Sequence, residues 1–236
     1  MKLIRPSTLV ILAALSLVAS AFAQAGFPFQ DEGLHYTINY PSGLSLGEST
    51  LTAHRTARGW DFAVSVDANV GGFAIKDLYS SSVTSGFCSL ALNRDISHGS
   101  KQTREQTTFD QEKGVARRAT VDTVAGGRSE MDVGACARDA IALVYFARKE
   151  LGQGRVPQPQ RMYFGSAYAV SMEYTGAQNV TLADRQPEVA DHLAISVKGP
   201  KSDFSFDVFY ARDAARTPLL IKVPQSAGSL SMELVR

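Results

Sequence analysis

Five stretches of this chain alternate apolar and polar side chains with a period of two, and no other feature constrains its fold as tightly. In LHYTINY, Leu34, Tyr36, Ile38 and Tyr40 share one face, and His35, Thr37 and Asn39 share the other. In WDFAVSV, Trp60, Phe62, Val64 and Val66 point one way. Tyr168, Val170, Met172 and Tyr174 do so in YAVSMEY, and Phe204, Phe206, Val208 and Tyr210 in FSFDVFY. The last such stretch, SLSMELV, sets Leu230, Met232 and Leu234 against Ser231 and Glu233. Successive strand residues face opposite sides of a sheet, so this period marks half-buried antiparallel strands. Between them fall short separators such as Pro41-Ser42-Gly43, Ala57-Arg58-Gly59 and Gly199-Pro200-Lys201, which supply the fixed or positive φ that hairpin loops need. Roughly ten to twelve strands at this spacing predict a mainly β domain, either an antiparallel curved sheet or an incomplete barrel.

One segment breaks the alternation. From Asp139 to Lys149, in ACARDAIALVYFARKELGQG, nearly every residue is apolar. Asp139 as N-cap and Gly152 as stop predict one α-helix over about residues 138–149. A helix apolar on most sides is buried, and the sheet's concave face or the mouth of a barrel is the place for it. Ala140 and Ala147 would allow close approach. The Ala content and the Asp cap, rather than periodicity, separate this helix from a buried strand over IALVYF.

The chain opens with Lys2 and Arg5, an apolar run from Leu9 to Val18, and Ala21-Phe22-Ala23. That layout predicts a signal peptide over residues 1–23, because the apolar run is shorter than the roughly 20 residues of a membrane span. Residues 24–236 are then one β-rich domain exported to the periplasm or beyond, and not an integral membrane protein. Without Lys2 and Arg5, the 24 Lys and Arg fall to 22, against 23 Asp and Glu. Such a balance argues against a nucleic-acid partner, which needs a basic patch. Two cysteines, Cys88 and Cys136, make an even count in an oxidising compartment, which favours one disulfide. The alternative is a Cys136 thiolate activated by Arg138 at the helix start, although no motif supplies a His partner.

Signatures of catalysis are missing. His35, His54, His98 and His192 are scattered, so no metal site is expected. There is no G-x-S-x-G elbow and no phosphate or dinucleotide fingerprint; Gly71-Gly72 and Gly126-Gly127 are isolated pairs, and no cofactor is expected. Asp31-Glu32 sits where a solvated chain end is expected. Asp203 and Asp207 share a strand face assigned to solvent, yet carboxylates that meet only in space leave a hydrolase open. The aromatic residues Trp60, Phe62, Tyr168, Tyr174, Phe204, Phe206 and Tyr210 allow two outcomes. One is an ordinary filled core. The other is an apolar cavity in which tyrosine hydroxyls orient a ligand's head.

LHYTINYPSGLSLGESTLTA, CARDAIALVYFAR, FSFDVFYARDAARTPLLIKV and GSLSMEL follow one another in an order and spacing that resemble a bacterial exported family, domain of unknown function 3108. The matching positions are Leu34 and Tyr36, Gly47 and Glu48, Asp139 and Arg148, Asp213, Arg216 and Pro218, then Gly228 and Leu234. The resemblance implies a mostly β exported domain and brings no catalytic residues. Some relatives are similar at Cys136, which suits a disulfide. Ala137-Arg138-Asp139 departs from the His-Asp pair common before this helix. The expected function is a non-catalytic envelope accessory or binding module for an apolar or lipid-like ligand. The alternatives are a hydrolase using dispersed carboxylates and a structural protein that binds another envelope protein.

Overall fold

A computed structural model of the protein describes residues 31–121, 127–182, 187–200, 203–225 and 228–236. The expected signal peptide, and Gly126 of the second glycine pair, lie outside them. Eight strands come first: β1 (Asp31–Asn39), β2 (Ser45–Arg55), β3 (Gly59–Val70), β4 (Phe73–Thr84), β5 (Ser89–His98), β6 (Lys101–Asp110), β7 (Val115–Thr120) and β8 (Arg128–Asp132). A two-residue strand β9 (Arg138–Asp139) leads into α1 (Ala140–Gly152). Six strands complete the chain: β10 (Gln160–Tyr163), β11 (Ala167–Val180), β12 (Glu188–Lys198), β13 (Asp203–Ala211), β14 (Pro218–Gln225) and β15 (Gly228–Val235).

All fifteen strands form one sheet in the order β8-β7-β6-β5-β4-β3-β2-β1-β15-β14-β13-β12-β11-β10-β9. The first and last described strands therefore meet in the middle of the sheet, where Tyr36 pairs with Leu234. The chain walks outward from β1 to β8, crosses through α1, and walks back to β15. Neighbours are antiparallel except β9 and β10. The sheet is open, with β8 and β9 at its edges. It nevertheless curls, since Arg118 of β7 donates to the carbonyl of Gly165, in the turn between β10 and β11, at 3.0 Å. Register shifts at Ile38/Asn39, Ser82/Val83, Tyr174/Gly176 and Phe209/Tyr210 mark bulges, which bend and twist a strand locally. Close approach needs glycine at Gly47, where φ is 155° and a Cβ would lie 2.1 Å from the Asp67 carbonyl oxygen.

The helix starts two residues later than expected and ends three later. Asp139 is extended (ψ 176°), so it caps rather than joins the helix, and its carboxylate accepts from the amides of Ile141 and Ala142. Arg138 and Asp139 instead pair with Met162 and Tyr163. Leu151 is buried, which carries the last turn to Gly152.

Helix α1 lies inside the curl and divides it. On one side Ile141, Ala142 and Tyr145 pack into a filled aromatic core with Trp60, Phe62, Phe87, Phe109 and Tyr163. The Phe62 and Tyr145 rings stack at 3.8 Å between centroids. Burying each large side chain there stabilises the fold by roughly 1.5–3 kcal/mol. On the other side Leu143 faces Met162, Val170, Ile195 and Tyr210.

Candidate functional site

The second side is not filled. Ala140, Leu143, Val144 and Ala147, at i, i+3, i+4 and i+7, form one stripe of α1 and wall a cavity of about 360 Å³. The opposite wall is the inner face of β11 to β13, with Val170, Met172, Ile195, Phe204 and Phe206. Ile221, Met232, Leu51 and Val64 close the floor. Ala140 and Ala147 therefore leave room instead of drawing the helix onto the sheet, contrary to the sequence expectation. The only hydroxyl on the lining belongs to Tyr210; burial pushes its pKa up to about 12, against the opposing pull of the Arg148 charge. The phenol is neutral at physiological pH, so among the described residues every lining side chain is uncharged. Phe204, 47% exposed, and Val144 mark the mouth. The volume falls in the range of small-molecule sites, which are concave and mostly apolar. A larger groove of about 650 Å³ beyond the helix, between Phe146, Arg155 and Pro157, carries charged groups and is more open.

Of the seven aromatic residues expected to bound a cavity, Phe204, Phe206 and Tyr210 line it. Tyr168 packs in the surrounding cluster. Trp60 and Phe62 do not line it: α1 crosses over them and fills that side with Tyr145. Nor does Tyr174. Because β10 pairs only with Ala167–Val170, β11 is an unflanked edge at Tyr174, whose side chain is exposed and bonds Asp191 at 3.1 Å. Most of the wall is aliphatic. The alternation in the sequence sets Val64, Val170, Met172, Val208 and Met232 on apolar faces, without marking them as cavity residues.

The charged residues beside α1 hold the helix in place. Asp139, fully buried, accepts from Ser81 at 2.6 Å and Ser89 at 2.7 Å as well as from the helix amides. Burial raises its pKa, and these four bonds oppose that rise. Arg148, also buried, makes a bidentate pair with Glu32 at 2.6 and 2.7 Å and donates from Nε towards the carbonyls of Ala215 and Arg216. Burial pulls the guanidinium's pKa down, and the bonds to Glu32 outweigh it, so the charge is held. Asp31-Glu32 is thus not a solvated chain end, because its second carboxylate is buried against the helix. The other recurring positions are also structural. The Tyr36 hydroxyl donates to the Pro218 carbonyl at 2.9 Å, Asp213 accepts from Thr217, and Arg216 pairs with Asp191 at 2.6 Å. Cys88 and Cys136 are joined in a disulfide with Cα atoms 4.6 Å apart, beside the start of α1.

One cluster has the elements of a relay. Thr175 Oγ1 lies 2.6 Å from His192 Nδ1, and Asp207 Oδ1 lies 2.8 Å from Nε2. The imidazole stacks on Phe209 at 4.4 Å. The Gln178 amide also reaches Nδ1, at 2.8 Å, and alternation puts His192 on the sheet face opposite the cavity-lining Ile195. Asp203 lies four residues from Asp207 but is not part of the cluster. Among the described residues no group of three or more His, Cys, Asp or Glu could hold a metal ion, and no helix is long and apolar enough to cross a membrane.

Residues 35–235 match the family model described as protein of unknown function DUF3108. No curated protein matches the chain. Among solved structures, it is similar to the crystal structure of a beta-barrel-like protein of domain of unknown function DUF1849 from Brucella abortus. The TM-score is 0.61 at 9% identity, over 86% of this chain and 95% of that one. At that identity the likeness concerns the fold alone.

Proposed function

This chain belongs to the DUF3108 family of proteins of unknown function, and from that premise we propose that it is an exported, non-catalytic binding module whose cavity holds an apolar or lipid-like ligand in the cell envelope. The cavity carries this proposal. It is a space of about 360 Å³, lined among the described residues by uncharged side chains alone, with an open mouth at Phe204. A closed core of this size would be expected to collapse or fill, because empty apolar volume is destabilising. Burying a ligand's hydrocarbon surface there would be worth about 25 cal/mol per Å². Export is supported by the leader-like first 23 residues and by the disulfide.

The test is native mass spectrometry of gently purified protein, followed by titration with an apolar fluorophore. One-to-one saturable binding is expected, and Val144→Trp at the mouth should abolish it without changing thermal stability by more than a few degrees. No saturable binding by the folded mature chain would overturn the proposal. A hydrolase of another kind than the dispersed-carboxylate one expected from the sequence has one specific observation behind it, the Thr175–His192–Asp207 cluster. Covalent labelling of Thr175 by an acylating or phosphonylating probe, lost in His192→Ala, would support it instead.

A further inference from the structure

The floor of the cavity runs on, along the same face of the sheet, into charged residues. Directly opposed residues form a row, Leu51, Val64, Tyr79, Arg94 and Glu105, across β2 to β6. Opposed residues share a face with Cβ atoms about 5 Å apart. The first two line the cavity; Tyr79 is the next residue along the row and Arg94 the one after it. Phe164 closes the corner from the other half of the sheet. Its ring lines the cavity, lies 4.4 Å below the Arg94 guanidinium and sits 5.4 Å from the Tyr79 ring.

The row itself carries one base, Arg94, and one acid, Glu105, and the donors around that acid outnumber it. Glu105 accepts from Arg94 at 2.8 Å and also from Arg118 Nη2, so two guanidiniums share one carboxylate. The next acid on this face, Asp77, accepts from the Tyr79 hydroxyl at 2.8 Å through Oδ2 and lies 3.0 Å from His98, while its buried Oδ1 has no hydrogen-bond donor among the described residues. Arg94 Nε is buried and has no acceptor among the described residues. A buried donor without an acceptor is uncommon and calls for an explanation such as a functional role, a water or an ion. With the Tyr79 hydroxyl committed to Asp77, the spare donors beside the cavity belong to Arg94.

We propose that the cavity takes a single-chain amphiphile with an anionic head, its hydrocarbon chain between α1 and β11 to β13 and its carboxylate or phosphate over Tyr79 against Arg94. This rests on the apolar-ligand proposal and adds the polarity and direction of the ligand. A cationic head would meet Arg94, whose unpartnered Nε can donate but not accept. An uncharged head would accept a weaker bond, since hydrogen bonds to charged partners are about twice as strong as neutral ones.

The experiment displaces an apolar fluorophore from the folded mature chain with dodecanoate, dodecyl phosphate, dodecanol and dodecyltrimethylammonium, all below their micelle concentrations. At least one anion is expected to bind roughly tenfold or more tighter than dodecanol, and the ammonium most weakly. The stronger anion distinguishes carboxylate from phosphate. Arg94→Gln should erase the preference, weakening the anions far more than dodecanol, while Arg94→Lys should retain part of it. Equal binding of anions and alcohol by the wild-type chain overturns the head-group assignment and leaves the apolar site standing; so does a preference that survives in folded Arg94→Gln. Binding of none of the four overturns both proposals. The wild-type comparison needs no variant, so it decides even if Arg94→Gln unfolds.

Discussion

Among single residues, the buried charges at the two ends of α1 are the most exposed to test. Arg148 and Glu32 lie 116 residues apart in sequence, and their pair is nearly solvent-free. Removing one partner of a buried pair leaves an uncompensated charge and costs about 3–5 kcal/mol. Glu32→Ala should lose that much in urea unfolding, and Glu32→Leu with Arg148→Met should be more stable than either single change. Asp139→Ala takes away the helix cap and strands two buried serine hydroxyls, for a loss of roughly 2–4 kcal/mol by the same measurement. Tyr210 adds a pH dependence. Its folded pKa of about 12 exceeds the unfolded value of 10.0, so the neutral phenol favours the fold. That contribution is complete below pH 10 and is lost as pH rises towards 12. Stability measured across that window should fall, and the fall should be shallower in Tyr210→Phe.

For the elements, the question is what holds α1 against an unfilled cavity. Its start is tied three times: by Asp139 to Ser81 and Ser89, by the Ser89 amide to the Ala137 carbonyl at 2.8 Å, and by the disulfide. Phe87 and Cys136, one residue before and at the bridge, both have positive φ (62° and 52°), a backbone shape that side chains other than glycine rarely adopt. Closing a 48-residue separation should stabilise the fold by about 4 kcal/mol in the chain-entropy model. Reduction should therefore lower the melting temperature clearly, and Cys88→Ser alone should cost about as much as the double change. Hydrogen exchange after reduction should show the first turn of α1 losing protection before β1 and β15 do. Full protection there would mean that Asp139 holds the helix without the bridge.

On the scale of the whole molecule, the pairing of β1 with β15 at the centre of one sheet sets the behaviour. The β1–β15 ladder joins residues from opposite ends of the chain, a topology of high contact order that folds slowly. Deleting Gly228–Arg236 would strip the shared neighbour from β1 and β14 and expose two long strand edges, which template aggregation. Such a truncation should yield no soluble, cooperatively unfolding protein, whereas trimming Arg236 alone should be tolerated. A soluble, cooperatively folded truncation would show that the two halves of the sheet stand independently.

Much of the fold was legible in the sequence because a strand's pleat is a local property. Tyr36, Phe206 and Tyr210 announce their inward face through their own neighbours, and Asp139 announces the helix through the amides two and three residues on. Short strands such as Val115–Thr120 and Gln160–Tyr163 escape that logic, which is why fifteen strands stand where ten to twelve were expected. The cavity is different in kind. Trp60 and Phe62 carry the same alternation as Phe204 and Phe206, yet the first pair is packed and the second faces open space. That difference depends on where α1 crosses the sheet. The crossing is fixed by contacts between distant residues, Arg148 with Glu32 and Asp139 with Ser81 and Ser89, that no local period records. The alternating pattern determined the sheet and its two faces; the path of one helix, a matter of long-range pairing and volume, decided which part of the inner face is core and which is a site.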